Sequence, residues 1–117
     1  MQFLSVPEPD LASRILAEVG YEHRLVGYRC RPRWGQLAAN LYSVQHIARL
    51  LGDKYPALSF AELEKWLRTV VRDDELANRV AQTIEEQASN RDKVLRIKTV
   101  LEERLSQCKS LRTAQTT

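Results

Sequence analysis

The sequence predicts an all-α fold, a compact bundle of four to five helices with an extended, arginine-rich connection between the first and second. Three observations lead there. Apolar residues recur at steps of three and four along most of the chain, the spacing that lines one face of a helix. Cap-forming residues stand ahead of several of these runs. Glycine and proline number only four each in 117 residues, and 44% of the chain is hydrophobic, which suits a helical domain with one core rather than a disordered chain.

The first helix carries Leu11, Ile15, Leu16 and Val19. Asp10 is its expected N-cap, because a carboxylate accepts from the free amide protons of a first turn. Gly20 ends the run. The next stretch, "YEHRLVGYRCRP", is the least helical: aromatics, Val26, Gly27 and Pro32 favour extended chain. Pro32 also disfavours helical backbone at Arg31. An extended segment places Tyr28, Cys30, Pro32 and Trp34 on one side and Arg29, Arg31 and Arg33 on the other.

A second helix is expected from Trp34 to Leu51, on the spacing of Trp34, Leu37, Leu41, Val44, Ala48 and Leu51, with Gly52 as its stop. After the turn "DKYPAL", Ser59 and Glu62 form the pattern of a capping box, each satisfying a backbone donor of the third helix. Phe60, Leu63, Trp66 or Leu67, and Val70 make its apolar face. Asp73 and Asp74 cap a fourth helix bearing Leu76, Val80, Ile84 and Ala88. The last helix follows "SNRD" and carries Val94, Ile97, Leu101, Leu105 and Cys108. Residues 1–112 are expected to form a single helical domain and 113–117 a frayed tail.

The same reading weighs against several functions. The N-terminus lacks the basic and apolar regions of a signal peptide, and no apolar run approaches the ~20 residues of a membrane span. The expectation is a cytoplasmic protein with no membrane contact. Cys30 and Cys108 are too few and too separated for a metal or redox motif. His23 and His46 fall in different elements and are read as structural. The pairs Glu85–Glu86 and Glu102–Glu103 are read as solvated, with Arg79, Arg96, Lys98 and Arg104 to screen them. No glycine-rich phosphate loop or metal-binding helical spacing is present. The chain is therefore expected to be non-enzymatic, with no cofactor and no metal.

The charge distribution points to one candidate site. Formal charge is +3. Residues 21–35 hold Arg24, Arg29, Arg31 and Arg33 against Glu22 alone, and basic and acidic side chains balance elsewhere. Guanidinium forks bind carboxylates and phosphates bidentately, and aromatic rings stack on flat cations or bases. Arg24, Tyr28, Arg29, Arg31, Arg33 and Trp34 are thus the expected partner-binding residues of an adaptor that docks an acidic protein surface. The first alternative is a nucleic-acid accessory subunit using the same segment on an RNA or DNA backbone. The second is a homo-oligomer assembled through apolar helix faces, for which Tyr42, Ile47, Leu50, Trp66 and Leu67 are the candidates.

Overall fold

The computed structural model describes residues 4–33 and 35–115. It corrects the all-α expectation. Among the described residues, five α-helices pack with a three-stranded antiparallel sheet, so the fold is mixed and mostly helical: α1 (Pro9–Leu16), β1 (Leu25–Arg31), β2 (Gly35–Leu41), α2 (Val44–Leu51), β3 (Pro56–Ala57), α3 (Phe60–Trp66), α4 (Asp74–Glu85) and α5 (Asn90–Gln115). The strand order is β2-β1-β3.

The correction comes from residues 35–41, read above as the first half of a helix. They pair with β1 along its whole length, from Leu25 opposite Leu41 to Arg31 opposite Gly35. Leu37 and Leu41 are four apart, which fits a helix, but Leu37, Ala39 and Leu41 also alternate, which fits a strand. The hairpin resolves the ambiguity. Gly35 takes a positive φ of 71° just beyond the Pro32–Arg33 turn, a conformation that suits glycine. α2 begins only after Ser43, whose hydroxyl accepts from the His46 amide. His46 Nδ1 accepts from the Tyr42 amide at 3.1 Å, which leaves the ring proton on Nε2, facing Glu18 Oε1 at 3.4 Å.

α1 is shorter than expected. Pro9 opens it, Glu8 rather than Asp10 stands at the N-cap, and Ala17 is already extended. α3 and α4 start where the sequence signals place them: Ser59 and Asp73 accept from the amides three residues on, those of Glu62 and Leu76. α5 starts earlier than expected, at Asn90 inside "SNRD", where the Ser89 hydroxyl accepts from the Asp92 amide.

α2 lies between the sheet and α5. Val44, Ile47 and Leu50 are fully buried there. The inner face of the sheet supplies Leu25, Gly27, Ala39 and Leu41, and α5 supplies Ile97, Leu101 and Cys108. Trp66 and Leu67 are also buried, and the Trp66 indole donates to the His23 carbonyl at 2.6 Å. The helix-face residues Ile47, Leu50, Trp66 and Leu67 are therefore used inside the chain.

Leu67–Val71 continue α3 as a π-helical turn that Arg72 ends in the left-handed region, with φ 62° and ψ 44°. A side chain with a Cβ is disfavoured there, and Arg72 is exposed. Arg72→Gly is expected to raise stability by about 0.5–1 kcal/mol, read as a higher urea midpoint with an unchanged slope.

Candidate functional site

Of the arginine-rich segment, Leu25–Arg31 is a strand in which Arg29 and Arg31 share a face as the sequence implies, while Arg33 falls in the turn beyond it. A Cβ built on Gly27 would meet the Leu50 side chain of α2, so odd-numbered residues of β1 face the helices. Arg29 and Arg31 therefore point toward α2 and α5. Val26, Tyr28 and Cys30 lie on the opposite, outer face.

The six expected site residues do not form one cluster. Arg24 stands at the far end of β1, where its guanidinium lies 3.8 Å from the centre of the Tyr21 ring and Nε donates to Asn40 Oδ1. Tyr28 is exposed on the outer face, away from Arg29 and Arg31. Arg33 is exposed in the hairpin turn. Trp34 lies outside the described residues. Arg29 and Arg31 are the two that the fold brings together with other cations.

Those cations come from α2, α5 and the loop between α2 and β3. An open cleft of about 1050 Å³ is lined by Arg29, Arg49, Lys98 and Lys109, with Asp53 and Glu102 as its acids. Its apolar floor is Ala48 and Leu105. A second cleft of about 870 Å³ adjoins it through Gly52, Asp53 and Lys98 and adds Arg31, Lys54 and Arg91. Together they form one groove with seven basic and two acidic side chains. Exposed Tyr55 and Leu95 border it.

Within the groove, Arg31 grips Asp53 as a fork. Nη1 donates to Oδ2 at 2.9 Å and Nη2 to Oδ1 at 3.2 Å, while Nη1 also donates to the Cys30 carbonyl. This hydrogen-bonded pair holds the Asp53 carboxyl below its ordinary range, against the opposing effect of desolvation, and Arg29 adds to the shift. Lys98 Nζ is 3.7 Å from Glu102 Oε1. At Gly52 a Cβ would lie 3.4 Å from the Lys98 ammonium, so Lys98 lies over the turn at contact distance.

Arg49, Lys54, Arg91 and Lys109 escaped the sequence reading and Lys98 was read only as screening acids, yet one signal existed for the three on α5. On a helix with 3.6 residues per turn, Arg91, Lys98, Glu102 and Lys109 fall within about 40° of each other around the axis. They make a polar stripe on α5, which reads in isolation as a solvated face. Only the hairpin opposite turns it into the wall of a groove. Among the described residues, no three His, Cys, Asp or Glu side chains come together as metal ligands, and Cys30 and Cys108 are both free thiols. Burial pushes the Cys108 thiol up to about 11, so it is protonated and unreactive at neutral pH.

No protein-family model, no curated protein and no solved structure matches this chain significantly. Among the described residues, no helix is long and apolar enough to cross a membrane.

Proposed function

We propose that the chain is a non-enzymatic adaptor that docks an acidic segment of a protein partner in the groove between the β1–β2 hairpin, α2 and α5, and that it works in the cytoplasm. The observation that carries this reading is the convergence of Arg29, Arg49 and Lys98 from three elements above an apolar floor of Ala48 and Leu105. Guanidinium and ammonium groups gathered on one cleft suit carboxylates, and the floor gives apolar side chains of the same segment a place to bury. Arg31 belongs to the site as well, but Asp53 already occupies its fork. An incoming carboxylate must compete with Asp53 or bind beside the pair. Arg29 and Arg49 therefore carry most of the affinity in this account.

The test is fluorescence anisotropy with a labelled peptide of alternating glutamate and leucine, run beside a single-stranded RNA and a DNA duplex at several salt concentrations. The peptide is expected to bind in the micromolar range, about −8 kcal/mol, and more weakly as salt rises. Arg29→Ala with Arg49→Ala is expected to cost at least ~10-fold in affinity, the size of one or two charge-assisted contacts. The stripe on α5 widens the basic footprint, which gives a nucleic-acid backbone its claim as the second reading. Tighter binding of the duplex, with a log–log salt slope near −0.9 per phosphate contact, would replace the protein partner by that one. No binding of any probe at low salt would overturn the groove as a docking site.

A further inference from the structure

The outer edge of β2 has a property that the groove does not use. Cys30 of β1 donates its amide to the Tyr55 carbonyl, on the β3 side, at 3.0 Å. Backbone groups alternate in direction along an antiparallel strand, so Leu25, Gly27, Arg29 and Arg31 turn theirs toward β2. Their partners in register are Leu41, Ala39, Leu37 and Gly35. The amides and carbonyls of Gln36, Ala38 and Asn40 consequently point away from the sheet. At one end this edge is closed, where the Val19 amide donates to the Tyr42 carbonyl at 2.7 Å. Among the described residues, no backbone group meets Gln36, Ala38 or Asn40 on that side.

Proteins ordinarily guard such an edge with lysine, proline, a bulge or a covering segment. Residues 35–41, "GQLAANL", contain no charge and no proline. Gln36, Ala38 and Asn40 are exposed, and Leu37 on the inner face is 50% exposed.

We propose that β2 is a self-association edge, on which a second copy of this chain adds its own β2 in antiparallel register about a two-fold axis at Ala38. The choice of occupant rests on self-complementarity. An axis at Ala38 sets Gln36 opposite Asn40 of the second copy, so every outward amide meets an outward carbonyl. It also sets Leu37 opposite Ala39 on the inner face, a large residue against a small one, and lets Asn40 Nδ2, whose Oδ1 already accepts from Arg24, donate to Gln36 Oε1 across the seam. A neutral strand facing itself brings no like charges together, which self-pairing of most charged edges would. Axes at Leu37 or Ala39 leave one outward residue of each strand without its counterpart inside β2. The product is a continuous six-stranded sheet with both sets of helices, and both grooves, on one side.

The experiment is sedimentation velocity of the full chain from about 1 to 300 µM, a range that brackets weak association. A mass rising from one chain to two is expected. Ala38→Lys places two ammonium groups at the axis, and Ala38→Pro removes an outward amide while leaving the bonds to β1 intact. Each is expected to weaken dimerisation at least ~10-fold, about 1.4 kcal/mol, with unchanged far-UV dichroism. Leu95→Lys, on α5, is the control that leaves dimerisation as it was. Hydrogen exchange provides a reading free of substitutions: the amides of Gln36, Ala38 and Asn40 slow as concentration rises. One-chain mass across the whole range would overturn the proposal, whether or not another protein's strand adds to this edge. So would a dimer that Ala38→Lys leaves intact.

Discussion

Arg104→Ala is expected to cost about 3–5 kcal/mol, the range for breaking a buried ion pair by removing one partner. Arg104 is 1% exposed, as is Asp73. Its donors are all engaged. Nε and Nη2 donate to the two oxygens of Asp73 at 2.9 and 3.3 Å, and Nη2 also donates to Glu75 Oε1 at 2.8 Å. Nη1 donates to the Ser5 carbonyl at 2.7 Å and to Gln107 Oε1 at 3.0 Å. One guanidinium thus ties α5 to the cap of α4 and to the N-terminal arm, where Leu4 is buried and Gln107 donates to its carbonyl.

Removal would strand the Asp73 charge in the interior and free the arm. Domains of this size have only 5–15 kcal/mol of stability in all, so the variant is left marginal or unfolded. Urea unfolding measures the loss. Asp73→Asn keeps an oxygen to accept from the Leu76 amide, so the double variant with Arg104→Ala is expected to recover part of it. If the double variant is no better than the single, the stranded charge is not what costs.

The same cluster makes the arm acid-sensitive. Desolvation pushes the Glu75 carboxyl upward, but bonds from Ser5 and Arg104 outweigh it and hold the group below its ordinary value of 4.5. A lowered carboxyl contributes stability that is complete above the ordinary value and is lost as pH falls through the lowered one. Stability is therefore expected to decline below about pH 4.5, and less so in Glu75→Gln.

Gly27→Val is expected to cost about 3 kcal/mol, the upper end of the usual range for overpacking a core. A Cβ at this position meets Leu50 Cδ2 inside van der Waals contact and the Ala57 carbonyl and Leu41 Cδ1 at 3.3 Å. Leu50 is fully buried, so it has nowhere to turn. The relief available is to lift β1 off α2, and Arg29 lies two residues along the same face. Gly27→Val is therefore expected to weaken peptide binding as well, measured by anisotropy under conditions where the variant remains folded. Unchanged binding would mean that the distance between sheet and α2 does not set the groove.

Several parts of this architecture were legible in the sequence, for local reasons. Ser59 and Asp73 announced their helices because caps act within three residues. The extended backbone and alternating arginines of β1 followed from Pro32 and the period of two. β2 was misread because Leu37 and Leu41 satisfy both periods. Gly35 and Ser43 were the residues that separated them, as turn and cap. Arg104 was misread as a surface cation screening acids. Yet Ile97, Leu101, Arg104 and Cys108 recur at steps of four, three and four, which sets Arg104 on the buried stripe. Its partners Ser5, Asp73 and Glu75 lie 29 to 99 residues away, beyond any local pattern. The groove was hidden for the same reason: its walls are a hairpin and two helices whose meeting only the tertiary fold decides.

The central claim is that the inner-face cations form the docking site, and residue-resolved amide NMR tests it most directly. The ¹⁵N-labelled chain is titrated at low salt with the glutamate–leucine peptide. Saturable shifts are predicted at Arg29, Ala48, Arg49, Gly52, Lys98 and Ser106, with Arg24, Val26 and Tyr28 unmoved. Shifts confined to the outer face, or none that saturate, would contradict it.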